Sequence, residues 1–251
     1  MSDLSIWPIQ VGFHPGAEKS RLTHGMNQGV KIDAAIIAYA IKGAQQNILV
    51  DTGCGDPEWT EKYHHYKIIQ NQDLAGGLKE IGFNPEDIDI VICTHLHWDH
   101  CFNNDLFKNA KIIVQRDEIK YAIAPLPMHA VFYESQLINM RPPWLKALDR
   151  IELIEGDMEI VPGVDIVKIP SHTPGFQGVN VKTSNGNYFI GSDFCPLFDN
   201  WEGQGPLLKH IVSPIHVNLE DYYDSFAKVE KIADFVLPGH DIKVFEKKCY
   251  P

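Results

Sequence analysis

Apolar residues in this chain come in short blocks separated by polar and glycine-rich punctuation, and the spacing inside each block predicts its element. IDAAIIAYAI, then KGAQQ, then NILVDTG reads as two strands joined by a tight turn. EDIDIVICTH is a further strand, and its unbroken apolar centre predicts burial on both faces. NQDLAGGLKEIGFNPEDI predicts a helix with Asp73 near its start and a stop at Gly82, a signal weakened by Gly76-Gly77. AKIIVQRDEIKYAI predicts a strand running into a helix. From Pro125 to Pro143 the pattern turns loop-like, with MHAVFYESQLI expected as a helix inside it. IELIEGDMEIVPGVDIVKIPSHTPG breaks at Gly156-Asp157 and Pro162-Gly163 into three short strands. GVNVKTSNGNYFIGSD alternates as a hairpin whose Asn185-Gly186 pair predicts a type I′ turn. NLEDYYDSFAKVEKIA puts Tyr223, Phe226, Val229 and Ile232 on one helical stripe behind a cap at Asn218, and DFVLPGH closes as a last short strand.

The strands fall in batches, 30–52, 89–115 and 151–191, with helices between. That order predicts an α+β sandwich: two mixed β-sheets packed face to face and flanked by helices. No linker interrupts it, so residues 1–251 are expected to form a single domain. Composition changes this picture little: 44% apolar content is that of an ordinary globular chain. Charge excludes more. With 22 basic and 33 acidic residues the net charge is −11, which argues against a nucleic-acid or anionic-membrane partner and against a polyanionic substrate. Five scattered cysteines without a CxxC pair fit reduced thiols. MSDLSIWPIQ lacks the features of an export signal, and no apolar run reaches membrane-span length, so a cytoplasmic protein is expected. The aromatic N-terminal segment leaves a homodimer open.

The run THLHWDHCFNND directly follows the buried strand and sets His95, His97, Asp99 and His100 within six positions. Such side chains suit neither a buried structural element nor an ordinary solvated loop. At the end of a buried strand they stand on a rigid frame, where functional groups gather. In an extended chain His95 and His97 point the same way, and Asp99 and His100 fall in the turn that follows. The cluster offers two imidazoles to one metal, and a carboxylate with an imidazole to a neighbour. Three more candidates stand where strands are expected to end: His172 in IPSHTPG, Asp193 in FIGSDF and His240 in LPGHD. Five histidines and two aspartates suit two ions in four- or five-fold coordination, with Asp193 able to bridge through its two oxygens.

The motifs THLHWDH, SHTPG, GSD and LPGHD, with ILVDTG upstream, make the chain similar to the metallo-β-lactamase superfamily. Within that superfamily, KIIVQRDE, IELIEGDMEIVPGVDIVKIPSHTPGFQG and PGHDIKVFEKKCYP resemble the N-acyl homoserine lactonase family. The resemblance implies an αββα sandwich with its site at one edge of the two sheets. It assigns His95, His97 and His172 to one metal and Asp99, His100 and His240 to the other, with Asp193 between them and Asp51 orienting the site from behind. Two divalent cations are implied, zinc first, with manganese, iron or cobalt accepted by the same donors. The implied activity is hydrolysis of a lactone or related cyclic ester, with Asp99 handing a proton to the leaving alkoxide. One position departs from the pattern: those lactonases commonly carry a tyrosine three residues after the bridging aspartate, and here that residue is Pro196.

Candidates for the pocket wall are His24, Met26, Phe132, Tyr133, Trp144 and His216, drawn from the N-terminal third and the 125–144 loop. Cys101 and Cys195 adjoin ligands and are expected to point into the core. The rival activities are a thioester hydrolase of the glyoxalase II type, a heterocyclic lactonase resembling pyridoxolactonase, and a mononuclear-iron persulfide dioxygenase. The first family adds a helical glutathione-binding region, and here only a short tail follows His240. The last would leave Asp99, His100 and His240 idle.

Overall fold

The chain enters the fold as two long antiparallel strands, Ser5–Glu18 (β1) and Lys31–Lys42 (β2), in a computed structural model that describes residues 4–251. Ile48–Val50 (β3) pairs antiparallel with β2; Ile90–Ile92 (β4), Lys111–Gln115 (β5) and Ile151–Ile154 (β6) then continue the sheet in parallel. The second sheet holds Met158–Val161 (β7), Val164–Lys168 (β8), Gln177–Thr183 (β9), Gly186–Ser192 (β10) and Phe235–Pro238 (β11), in the order β11-β10-β9-β8-β7. Both sheets are mixed.

Alternation along β2 explains its unbroken apolar run. Ala35, Ile37, Tyr39 and Ile41 enter the core between the sheets, where they meet Val164, Ile166, Val179 and Ile190. Ile36, Ala38 and Ala40 enter a second core on the outer face, under helices. Both faces are dry, so neither can be polar. Four helices flank that outer face: Pro57–His64 (α1), Leu74–Glu80 (α2), Trp98–Cys101 (α3) and Arg116–Ile123 (α4). The second sheet is covered by Leu219–Val229 (α6), which packs Tyr222, Phe226 and Val229 on Val167, Phe189 and Val236; the short Phe198–Glu202 (α5) precedes it. Asn218 caps α6 by accepting from the Glu220 amide, and Asp73 caps α2 by accepting from the Gly76 amide.

Five expectations are corrected. β1 carries no alternation that announces it, yet it spans fourteen residues; bulges at Gln10/Gly12 and His14/Ala17 bend it, and its outer edge is bridged at Phe13–Ile69 and Ile6–Tyr250. β6 joins the first sheet through β5, so only β7 to β11 form the second. MHAVFYESQLI forms short 3₁₀ turns at Pro127–His129 and Gln136–Ile138 and no α-helix, because left-handed Glu134 (φ 49°) and Asn139 (φ 60°) stop each turn from propagating. The β9–β10 loop is Ser184-Asn185, with Gly186 already paired to Thr183; neither loop residue has the positive φ a type I′ turn requires. The α6 stripe is likewise displaced by one residue at its start: Tyr222 is buried and Tyr223 is 49% exposed. No helix among the described residues is long and apolar enough to cross a membrane.

Candidate metal centre

Five strands that run in the same sense end at one rim of the sandwich, and each delivers one part of the site. β3 leads to Asp51, β4 to Thr94 and His95, β8 to His172, β10 to Asp193 and β11 to His240. α3 begins directly after His97 and carries Asp99 and His100. The rim gathers all seven sequence-predicted ligands. His95, His97, His172 and Asp193 form one group and Asp99, His100 and His240 a second; within each, the ligand atoms lie within 4.8 Å of one another. Asp193 faces both: its Oδ1 is 2.9 Å from His240 Nε2 and 3.3 Å from His100 Nε2, and its Oδ2 is 3.3 Å from His172 Nε2. Gly239 is required beside it, because a Cβ there would stand 2.7 Å from Asp193 Oδ1.

The outer ring nitrogens are held, which aims the inner ones. His100 Nδ1 lies 2.9 Å from Asp51 Oδ2, His240 Nδ1 lies 2.6 Å from the Ala35 carbonyl, and His95 Nδ1 lies 3.1 Å from Thr94 Oγ1. Asp51 is buried at φ 59°, and its carboxylate also accepts from the Thr94 amide at 2.7 Å and from Ser192 Oγ at 3.0 Å. It touches His100 and approaches the site from behind. Pairing of this kind fixes the tautomer and orientation of a metal-bound imidazole.

Polar atoms left without partners supply a direct test of whether cations fit. Among the atoms that face the centre, His95 Nε2, His100 Nε2 and Asp193 Oδ1 are buried without a hydrogen bond of good geometry. Each such atom costs about 1–3 kcal/mol, a burden that two cations would remove. Burial pushes His95 and His97 well below the ordinary histidine range and His172 down to about 4, so these three are neutral, as ligands must be. Burial also opposes charge on His100 and His240, but the Asp193 and Asp99 carboxylates outweigh it and raise both. In turn His240 and His100 hold Asp193 well below the carboxylate range against its own burial. The donor set fits two divalent cations.

The centre lies in a cleft of about 340 Å³ whose lining includes His97, Asp99, Asp193 and His240. Its walls are apolar at Leu22, Ala34, Ile36, Ile68, Phe132 and Ile215, and polar at His14, Glu18, Ser20, Arg21 and Tyr66. Phe132 is thus on the wall. Tyr133 and Trp144 are fully buried in the outer core, Tyr133 directly behind His97 with ring centroids 4.6 Å apart. Met26, His24 and His216 are not among the lining residues; His24 and His216 pack edge-on against each other. Cys101 and Cys195 are buried, and burial drives both thiols well above their ordinary range, so neither offers a thiolate. Sequence reasoning missed the polar wall. Arg21 Nη2 donates to Tyr66 Oη across 45 residues of sequence, and no local pattern marks that contact.

Fold and site together define a class, and the chain belongs to it: the metallo-beta-lactamase superfamily, whose family profile matches residues 35–239. Within that class the chain is similar to N-acyl homoserine lactonases. The enzyme of a Bacillus species is 30% identical over 243 residues, 92% of this chain and 91% of its own. That of Bacillus thuringiensis is 28% identical over the same shares. A probable metallo-hydrolase of Methanocaldococcus jannaschii is 30% identical over 70% of this chain and 68% of its own. Among solved structures, a quorum-quenching N-acyl homoserine lactone lactonase superposes with a TM-score of 0.73 at 26% identity, over 97% of this chain and 94% of that one.

Proposed function

We propose that this protein is a dinuclear metal-dependent hydrolase that opens a lactone ring, with N-acyl homoserine lactones as the substrate class. The observation that carries the reading is two ligand groups, joined through the two oxygens of Asp193, on the floor of an apolar-walled cleft. His95, His97 and His172 would hold one cation, Asp99, His100 and His240 the other, and Asp193 both. Two bound cations, zinc first among them, supply Lewis acidity: they acidify water to near neutrality and polarise a carbonyl oxygen. The net reaction adds hydroxyl to the lactone carbonyl carbon, breaks the ring C–O bond and returns a proton to the ring oxygen. Asp99 is the group suited to carry that proton. Its side chain is 19% exposed, against 9% for Asp193, and it has no hydrogen-bond partner among the described residues.

Pro196 carries no hydroxyl, and its carbonyl accepts from the His240 amide at 2.8 Å. A donor to the substrate must come from elsewhere. Tyr66 and Arg21 in the cleft lining would supply one, and Arg21 has no carboxylate within 4 Å among the described residues. These two would hold the amide carbonyl of the acyl chain, while Ile36, Ile68 and Phe132 accept its methylenes.

A panel of acyl homoserine lactones, simple lactones, thioesters and phosphodiesters, assayed on zinc-reconstituted protein, tests the reading. Acyl homoserine lactones should turn over fastest. His97→Ala and Asp99→Asn should each lower kcat/KM by about 100-fold or more. Tyr66→Phe should raise KM about tenfold for acyl homoserine lactones and leave it unchanged for lactones without an amide. A preference for thioesters, or wild-type turnover in Asp99→Asn, would contradict the assignment.

A further inference from the structure

The strand-to-helix segment KIIVQRDE contributes no ligand, yet its last residue reaches the centre. Glu118, in the first turn of α4, is fully buried. Its Oε1 accepts from the Leu96 amide at 2.9 Å, the peptide between His95 and His97, and from Tyr133 Oη at 2.8 Å. Its Oε2 accepts from Thr173 Oγ1 at 2.6 Å, the residue after His172. The loop carrying His172 lies directly on the start of α4: a Cβ on Gly175 would come within 2.0 Å of the Glu118 amide nitrogen. Tyr133, tied to the same carboxylate, packs its ring edge-on against His97.

One carboxylate therefore joins three segments that carry or touch His95, His97 and His172. None of its hydrogen bonds goes to the Asp99, His100 and His240 group, which Asp51 serves through His100. No lysine, arginine or histidine pairs with Glu118 among the described residues. A buried carboxylate without a cationic partner is costly, and here it persists because it pairs three buried donors, each on a segment that carries or touches a ligand. We propose that Glu118 is a positioning residue, holding the His95–His97 segment and the His172 loop at the separation one cation requires. This rests on the metal-centre reading above.

The test is equilibrium zinc binding, by competition with a chromophoric chelator, on wild type, Glu118→Gln, Thr173→Val and Tyr133→Phe, with thermal melts of each metal-free protein. Wild type should take two equivalents. Glu118→Gln should bind one of them about 10- to 100-fold more weakly and leave the other unchanged. Thr173→Val and Tyr133→Phe, which each remove one donor and keep the carboxylate, should weaken the same equivalent by less. Tyr250→Phe is the control, since it removes a buried 2.7 Å bond from Tyr250 Oη to the Val244 carbonyl within the C-terminal segment. It should lower the melting temperature and leave both affinities unchanged. Wild-type affinities in Glu118→Gln, or equal weakening of both equivalents, would overturn the proposal. If Glu118→Gln fails to fold, wild-type affinities in both Thr173→Val and Tyr133→Phe would overturn it. Wild type that takes fewer than two equivalents would instead overturn the underlying reading, and this one with it.

Discussion

Asp51 adopts a backbone conformation, φ 59°, that L residues other than asparagine and aspartate rarely take, and the strain is held by its side chain. Its carboxylate binds the Thr94 amide, Ser192 Oγ and His100 Nδ1 at once. Asparagine tolerates the same φ and nearly the same shape but carries no charge. Asp51→Asn should therefore melt close to wild type and lose about 10- to 100-fold in metal affinity. Asp51→Ala leaves the buried Thr94 amide unpaired, and a further loss of about 1–3 kcal/mol in stability should appear in urea unfolding. Ligands were the part of the site most readable from sequence, because H-x-H-x-D-H after an apolar strand is a local signal. Glu118 was not readable. Its partners lie 22, 15 and 55 residues away, and the one hint is an acid on the buried face of α4.

At the scale of elements, blocks with a clear period translated directly: β2, β4, β5 and the capped helices α2 and α6 stand where the spacing put them. What failed was phase and pairing. Consecutive tyrosines at 222 and 223 both fit a helical stripe, and packing on Phe194 and Phe226 decides which one turns inward. Tyr222→Ala should cost about 3–5 kcal/mol, a value set by the cavity it leaves and by the loss of its hydroxyl bond to the Phe194 carbonyl. Tyr223→Ala should stay within about 0.5 kcal/mol. Equal losses in urea unfolding would place the stripe elsewhere. β1 escaped notice for a related reason. Its two bulges interrupt the alternation that would have marked it, and the strand needs β2 and the Ile69 bridge to exist at all.

For the molecule as a whole, two mixed sheets with helices outside follow from the order of the apolar blocks, and convergence of the strand ends follows from the parallel pairings β3-β4 and β10-β11. The cleft wall does not follow. The bulged end of β1 brings His14 and Arg21 over the centre, and the segment after α1 brings Tyr66 to meet them. Against a net charge of −11, Arg21 is the one lysine or arginine among the lining residues described, so a substrate acceptor has a single cationic partner there.

In the proposed centre, seven side chains from four separate segments hold two cations at once, with Asp193 shared. Elemental analysis of zinc-reconstituted, chelator-washed protein measures this directly on wild type and Asp193→Ala. Two zinc per chain are expected in wild type and at most one in Asp193→Ala. One zinc or none in wild type, or two retained without Asp193, would contradict it.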